Sequence, residues 1–127
     1  MPRPTIAVIG ASPERHKYGN KCVRAYASRG YEVFPVHPTA ESVEGYRAYQ
    51  SILDVPVERL DRVSVYLPPK IGLRVMEEIA RKPAGEVWLN PGADDPAVVA
   101  KARELGLNLV LGCSIVDVGV SPHALPE

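Results

Sequence analysis

The stretch that decides the fold is "TIAVIGASPERHKYGNK", residues 5–21. It opens on an apolar, partly β-branched run, Thr5 to Ile9, of the kind that is buried on both faces of a sheet. Gly10 follows where such a strand would turn into a helix. A strand, a glycine turn and a helix begin a dinucleotide-binding crossover, but the further glycines of that fingerprint do not follow. Ser12, Pro13, Arg15, His16 and Lys17 stand in the turn instead, so the loop is stiffer and more basic.

Working outward, the pattern turns helical from about Lys17. Cys22, Val23, Tyr26 and Ala27 fall on one face, Lys21, Arg24 and Ser28 on the other, and Gly30 stops the helix. "YEVFPVHP" (31–38) reads as a second strand closed by Pro38. Residues 39–57 are less regular, with a very short strand in "YRAYQSI" (46–52) and one helical turn over Ser51 to Val55. "DRVSVYLPP" (61–69) is a strand with a double-proline stop. Behind it Ile71, Val75 and Ile79 recur at i, i+4, i+8, in a helix that Pro69 suits as its start. "GEVWLNPG" (85–92) is another buried strand. Asp95 then caps a helix with Pro96 at its first position, Val99, Ala102 and Leu105 inward, and Gly106 as stop. "LNLVLGC" (107–113) is the last strand, and residues 114–127 form a tail.

Strands alternating with helices predict an α/β fold, a three-layer Rossmann-like domain with a doubly wound parallel sheet. Five main strands plus the short one give the order 3-2-1-4-5-6. Right-handed crossovers place the switch point between the strands ending at Ile9 and Leu67. Three loops should line the crevice there: Gly10 to Tyr18, Val36 to Thr39, and Leu67 to Ile71. A length of 127 residues fits a single domain over residues 1–127. A formal net charge of +0 argues against nucleic acid as a main partner. The N-terminus carries no apolar signal core and no apolar run reaches membrane length, so a cytoplasmic protein with no membrane association is expected. Cys22 and Cys113 are far apart and fit reduced thiols, with Cys113 expected to be buried. Thirteen prolines and an arginine-rich make-up are consistent with a heat-adapted source.

At the first loop, Gly10 permits the turn, and the following helix offers free N–H groups and a positive dipole end to an anion. Ser12 can donate a hydroxyl, Pro13 stiffens the turn, and Arg15 and Lys17 add cationic donors. The plainer reading, a turn that only links strand to helix, stands beside this one. At the second loop, Val36-His37-Pro38 lacks the Asp or Glu that takes the ribose hydroxyls of NAD, which disfavours NAD. His37 either donates to a ligand or is an ordinary exposed loop histidine. In "YLPPK" (66–70), Pro68 and Pro69 offer a rigid apolar wall, or simply end a strand and begin a helix.

Gly10-Ala-Ser-Pro, "GYEVFPVHP", Tyr49 to Ser51, "LDVP" at Leu53 to Pro56, "VWLNPG" and "GLNLV" follow one another in register. In that order the chain resembles the small stand-alone CoA-binding domain proteins, the YccU-like family. It is similar, more distantly, to the N-terminal CoA-binding domain of succinyl-CoA synthetase α chains. The resemblance covers Thr5 to about Asp117 and implies a Rossmann domain that binds coenzyme A or an acyl-CoA. By position it assigns Gly10, Ala11, Ser12 and Pro13 to a phosphate loop, with Lys17 and Tyr18 at the helix start beside it. It assigns Val36, His37 and Pro38 to a second loop, and Leu67, Pro68, Pro69 and Ile71 to a third, with adenine between the two. The family often carries an Arg-Cys pair after the last strand, where this chain has Gly112-Cys113. The synthetase chain carries its phosphorylated histidine in a further domain, so the resemblance does not imply ligase activity.

Nothing in the sequence makes a catalytic centre. His16, His37 and His123 are scattered, and none has metal-ligand spacing. Asp94-Asp95 is explained by a helix cap, Trp88 by the core, and Asp117 near Cys113 lacks an adjacent histidine. The expected function is a non-catalytic binding, carrier or sensor module. The alternatives are a small NAD(P)-dependent enzyme or oxidoreductase completed by a homo-oligomer partner, and a subunit of a larger synthetase-like complex.

Overall fold

The computed structural model describes residues 2–127. Its first half runs β1 (Thr5–Ile9), α1 (Tyr18–Ser28), β2 (Glu32–Val36) and a hairpin of β3 (Ser42–Val43) with β4 (Tyr46–Arg47). A 3-10 turn at Ile52–Asp54 leads into β5 (Leu60–Val65), α2 (Pro69–Ala80) and β6 (Ala84–Leu89). α3 (Pro96–Glu104), β7 (Leu109–Leu111), α4 (Ser114–Asp117) and a second 3-10 turn at Pro122–Ala124 complete the chain. Five strands form one parallel sheet in the order β2-β1-β5-β6-β7.

Alternation along β1 builds the layers. Ile6 and Val8 face a core shared with Cys22, Val23 and Tyr26 of α1 and Ile115 of α4. Ala7 and Ile9 face the other core, with Met76 and Ile79 of α2 and Val98 and Ala102 of α3. The sixth strand of the expected order shrinks to one parallel bridge between Val36 and Tyr49. Tyr49 donates to the Pro35 carbonyl at 2.9 Å and accepts from the His37 N–H at 2.9 Å. Pro35 has no N–H to return, so the ladder cannot extend backwards along β2.

Several side chains sit differently from their helical reading. Lys21 is buried rather than outward, its ammonium 5.3 Å from the centre of the Tyr18 ring. In α2 the buried positions are Gly72, Met76 and Ile79, while Ile71 is exposed. In α3 they are Val98 and the expected Ala102, while Val99 and Leu105, also expected inward, are partly buried. The cap is as read: Asp95 Oδ1 accepts from the Ala97 N–H at 2.9 Å, ahead of Pro96. Trp88 is buried in β6.

The tail is structured. Ile115 is fully buried, and the Tyr26 hydroxyl donates to the Ser114 carbonyl at 2.8 Å. Arg29 donates to the carbonyls of Val118 and Gly119 at 3.2 and 2.7 Å, tying residues 114–119 to the end of α1. Ile115, with Val116, Val118 and Val120, is the apolar signal that the tail would fold back. Among the described residues no helix is long and apolar enough to cross a membrane.

Candidate functional site

Three strand ends meet at Gly10. Its N–H donates to the Val36 carbonyl at 3.1 Å, and the neighbouring Tyr66 N–H donates to the Ile9 carbonyl at 2.8 Å. Gly10 has φ +89°, and a Cβ there would collide with the Tyr66 carbonyl and lie 3.2 Å from Leu67 Cδ2. Only glycine permits both the conformation and the contact. The three predicted loops therefore start side by side at the carboxyl ends of β2, β1 and β5.

The first loop is held by its own backbone and by α1. Ala11 and Ser12 are buried. Ser12 Oγ accepts from the Glu14 N–H at 3.1 Å, which leaves its hydroxyl proton free to donate outward. Its carbonyl accepts from Asn20 Nδ2 at 2.9 Å. Lys17 sits at the N-cap of α1 with no side-chain cap, and the Asn20 and Lys21 N–H groups both donate to its carbonyl at 3.1 Å, so the open N–H groups are those of Tyr18 and Gly19. The cations are less free than their sequence suggests. Lys17 Nζ lies 2.9 Å from Glu14 and Arg15 Nε 3.5 Å from Glu44, a residue delivered by the β3–β4 hairpin in a left-handed conformation, φ 51°. The Lys17–Glu14 pair is well exposed and contributes little to stability, whereas Glu44 is about one quarter exposed and also accepts from Asn20 Nδ2 at 3.1 Å.

The second loop is anchored by His37. Its Nδ1 accepts from the N–H groups of Thr39 and Ala40 at 3.1 and 2.9 Å, so the ring proton lies on Nε2, the remaining donor. Val36 is buried below it and Pro38 is exposed. In the third loop Leu67 is partly buried against the core, while Pro68, Pro69 and Ile71 are exposed, with Pro69 the first residue of α2.

Next to these loops, under the ends of β5, β6 and β7, lies a buried polar cluster. Ser64 and Ser114 hydroxyls are 2.7 Å apart. Asn90 Nδ2 donates to Ser64 Oγ and to the Val65 carbonyl, both at 2.9 Å, and Asn90 Oδ1 accepts from the Ser114 N–H at 2.9 Å. The Tyr66 hydroxyl is 3.4 Å from Ser114 Oγ. Tyr26 also accepts from Arg62 at 2.9 Å, and Arg62 pairs with Asp117 at 2.8 Å and Glu86 at 3.2 Å. Burial pushes the Cys22 thiol up, the Tyr26 hydroxyl up to about 12, and the Tyr66 hydroxyl further still. These groups satisfy one another and hold their protons, which suits a rigid floor rather than a nucleophile.

Above this floor is a cavity of about 680 Å³, walled by Tyr18, Tyr66, Asn90, Pro91, Cys113, Val116 and the stretch from Gly119 to His123. Cys113 is therefore partly exposed at the cavity wall, and Cys22 is the buried thiol. His123 lines the same space, but Asp117 is engaged with Arg62. Of the predicted site residues only Tyr18 borders this cavity; the others lie at or beyond the carboxyl ends of β1, β2 and β5, on the three loops that leave them.

Sequence reasoning missed Gly19, Glu44, Tyr66, Asn90 and the tail. Gly19 replaces a missing fingerprint glycine: a Cβ there would lie 3.1 Å from Ala11 Cα and against the Gly10 carbonyl, so α1 packs directly on the turn. A glycine in the first helical turn was the available signal. Asn90, a polar residue ending an apolar strand, was another.

Residues 4–119 match a family described as the CoA binding domain. The chain is 31% identical over 94 residues to the ADP-forming acetate–CoA ligase I of Archaeoglobus fulgidus, covering 73% of this chain and 14% of that protein. It is 28% identical over 137 residues to the α subunit of the corresponding Pyrococcus furiosus enzyme, covering 95% and 29%. The chain thus spans less than a third of the length of either ligase. A solved structure of a conserved hypothetical protein from Pyrococcus furiosus superposes with a TM-score of 0.79 at 30% identity, covering 91% of this chain and 98% of that one.

Proposed function

The chain belongs to the CoA binding domain family, and from that premise we propose that it binds coenzyme A or an acyl-CoA as a binding, carrier or sensor module without chemistry of its own. The observation that carries the reading is the convergence of three loops on Gly10 beside an uncapped helix start. Gly10 to Pro13 and the first N–H groups of α1 take the pyrophosphate. Arg15 and Lys17 take phosphate oxygens in exchange for Glu44 and Glu14, a re-pairing that costs little at the exposed Lys17–Glu14 pair and leaves Glu44 with its bond from Asn20. His37 Nε2 donates, while Val36, Pro38, Leu67, Pro68, Pro69 and Ile71 flank the adenine. The absence of a carboxylate at the end of β2 favours a ligand with an extra phosphate over NAD.

Thermal-shift measurements with CoA, acetyl-CoA, NAD, NADP and ATP test this reading. A rise in melting temperature with CoA supports it, and no response to CoA alongside a clear response to NAD overturns it. A second reading, a module acting within a larger synthetase-like assembly, is favoured by the ligase relatives, of which the chain spans only a fraction. Co-purification of a further ligase-like chain from the native source would support it.

A further inference from the structure

We infer that the cavity roofed by the C-terminal segment is an acyl pocket, and that the preferred ligand is a CoA thioester of an uncharged hydrocarbon acyl group several carbons long. The inference rests on the CoA reading of the adjoining crevice and adds the class of acyl group.

Distance is the first argument. The phosphate loop follows β1, and the cavity lies over the ends of β5 to β7, up to three strands away. At about 4.8 Å per strand the far edge is roughly 14 Å from the loop. The arm from the CoA pyrophosphate to its sulfur has the reach of about four extended residues, again roughly 14 Å. An arm laid across the strand ends brings the sulfur to the cavity. Tyr18 is common to both places, standing at the start of α1 beside the first loop and in the cavity wall, so the cavity begins where the helix start ends.

Size and lining are the second argument. About 680 Å³ is room for a drug-sized group, far more than a bare thiol or an acetyl needs. No Lys or Arg lines the space, and His123 is the one basic side chain in its wall, so a carboxylate-bearing acyl such as succinyl would be desolvated without a permanent cation. The Asn90 amide is consumed by Ser64, Val65 and Ser114 and offers the ligand no free donor. Pro91, Val116, Val120 and Pro122 supply apolar surface.

The test is isothermal titration of the full chain with CoA, acetyl-CoA, hexanoyl-CoA and succinyl-CoA, repeated with Val116→Trp. Val116 is exposed at the cavity mouth, so a larger ring there fills space without disturbing the core. Each buried methylene contributes about fourfold in affinity when fully desolvated. Hexanoyl-CoA should therefore bind at least about tenfold tighter than CoA, and succinyl-CoA no tighter than acetyl-CoA. Val116→Trp should abolish the hexanoyl gain and leave CoA within about twofold. Normal CoA binding with no dependence on chain length in the wild-type chain overturns the acyl pocket alone. So does a Val116→Trp variant that weakens CoA and hexanoyl-CoA equally. Failure of every CoA ligand to bind removes the CoA reading itself and this inference with it.

Discussion

Gly19→Ala adds one methyl group where the first turn of α1 rests on the Gly10–Ala11 backbone. The new Cβ would lie 3.0 Å from the Gly10 carbonyl carbon and 3.1 Å from Ala11 Cα, and closer still to the Gly10 carbonyl oxygen. All three atoms are backbone, so relief requires the helix or the turn to move. Overpacking of this kind costs up to about 3 kcal/mol. Against that, alanine is a better helix former than glycine by about 1 kcal/mol. The net loss is about 2 kcal/mol, a fall in Tm of roughly 8 °C for a domain of this size. Gly72→Ala is the internal control, because its Cβ would meet only the two methyl groups of Val98, at 3.4 and 3.7 Å, ordinary contact. There the helix gain should survive, and Tm should rise by a few degrees. Thermal unfolding followed by circular dichroism compares the two directly. A Gly19→Ala protein as stable as wild type would refute the claim that direct packing of α1 on the turn shapes the candidate phosphate loop.

Lys17→Glu sets a second carboxylate beside Glu14 and removes a cation from the loop. Because Lys17 is about half exposed, a three- to tenfold loss of CoA affinity is expected at low salt, shrinking in high salt; a salt-independent effect would point to misfolding. Ser64→Ala leaves Asn90 short of a buried acceptor and should cost about 1–3 kcal/mol, read as a lower urea midpoint at unchanged m. Stability should also fall in alkali. Tyr26 holds its proton up to about 12, against 10 when unfolded, so its contribution is complete below pH 10 and is lost as pH climbs towards 12. Cys22 and Tyr66 shift in the same direction and add to the decline. A flat urea midpoint across that range would contradict the assignment.

The sheet was legible because buried parallel strands advertise themselves. Thr5–Ile9 and Ala84–Leu89 are near-continuous apolar runs, Leu60–Val65 ends on the buried Val63 and Val65 ahead of a double proline, and Pro69 and Pro96 mark helix starts with little ambiguity. Helix faces were less legible. Short amphipathic helices on a twisted sheet tolerate a one-residue rotation, which is how Val98 rather than Val99 came to be buried. The loops of the crevice were found by topology, since a switch point follows from strand order. Their ion pairing was not, because the partner of Arg15 is Glu44, which is distant in sequence and comes near through a hairpin. The cavity was hidden for the same reason: its roof is a segment without periodicity, folded back by Ile115 and by Tyr26.

That fold-back has a consequence for how the domain assembles. The bonds that seat the roof, Tyr26 to Ser114, Arg29 to Gly119 and Arg24 to Pro126, span 88, 90 and 102 residues. Contacts so far apart repay the entropy of loop closure only once the intervening sheet exists. The cavity thus comes into being when the two ends of the chain meet, and partly folded forms lack it. Any molecule that occupies it binds the native state alone, and so tightens the whole domain by linkage rather than one corner of it.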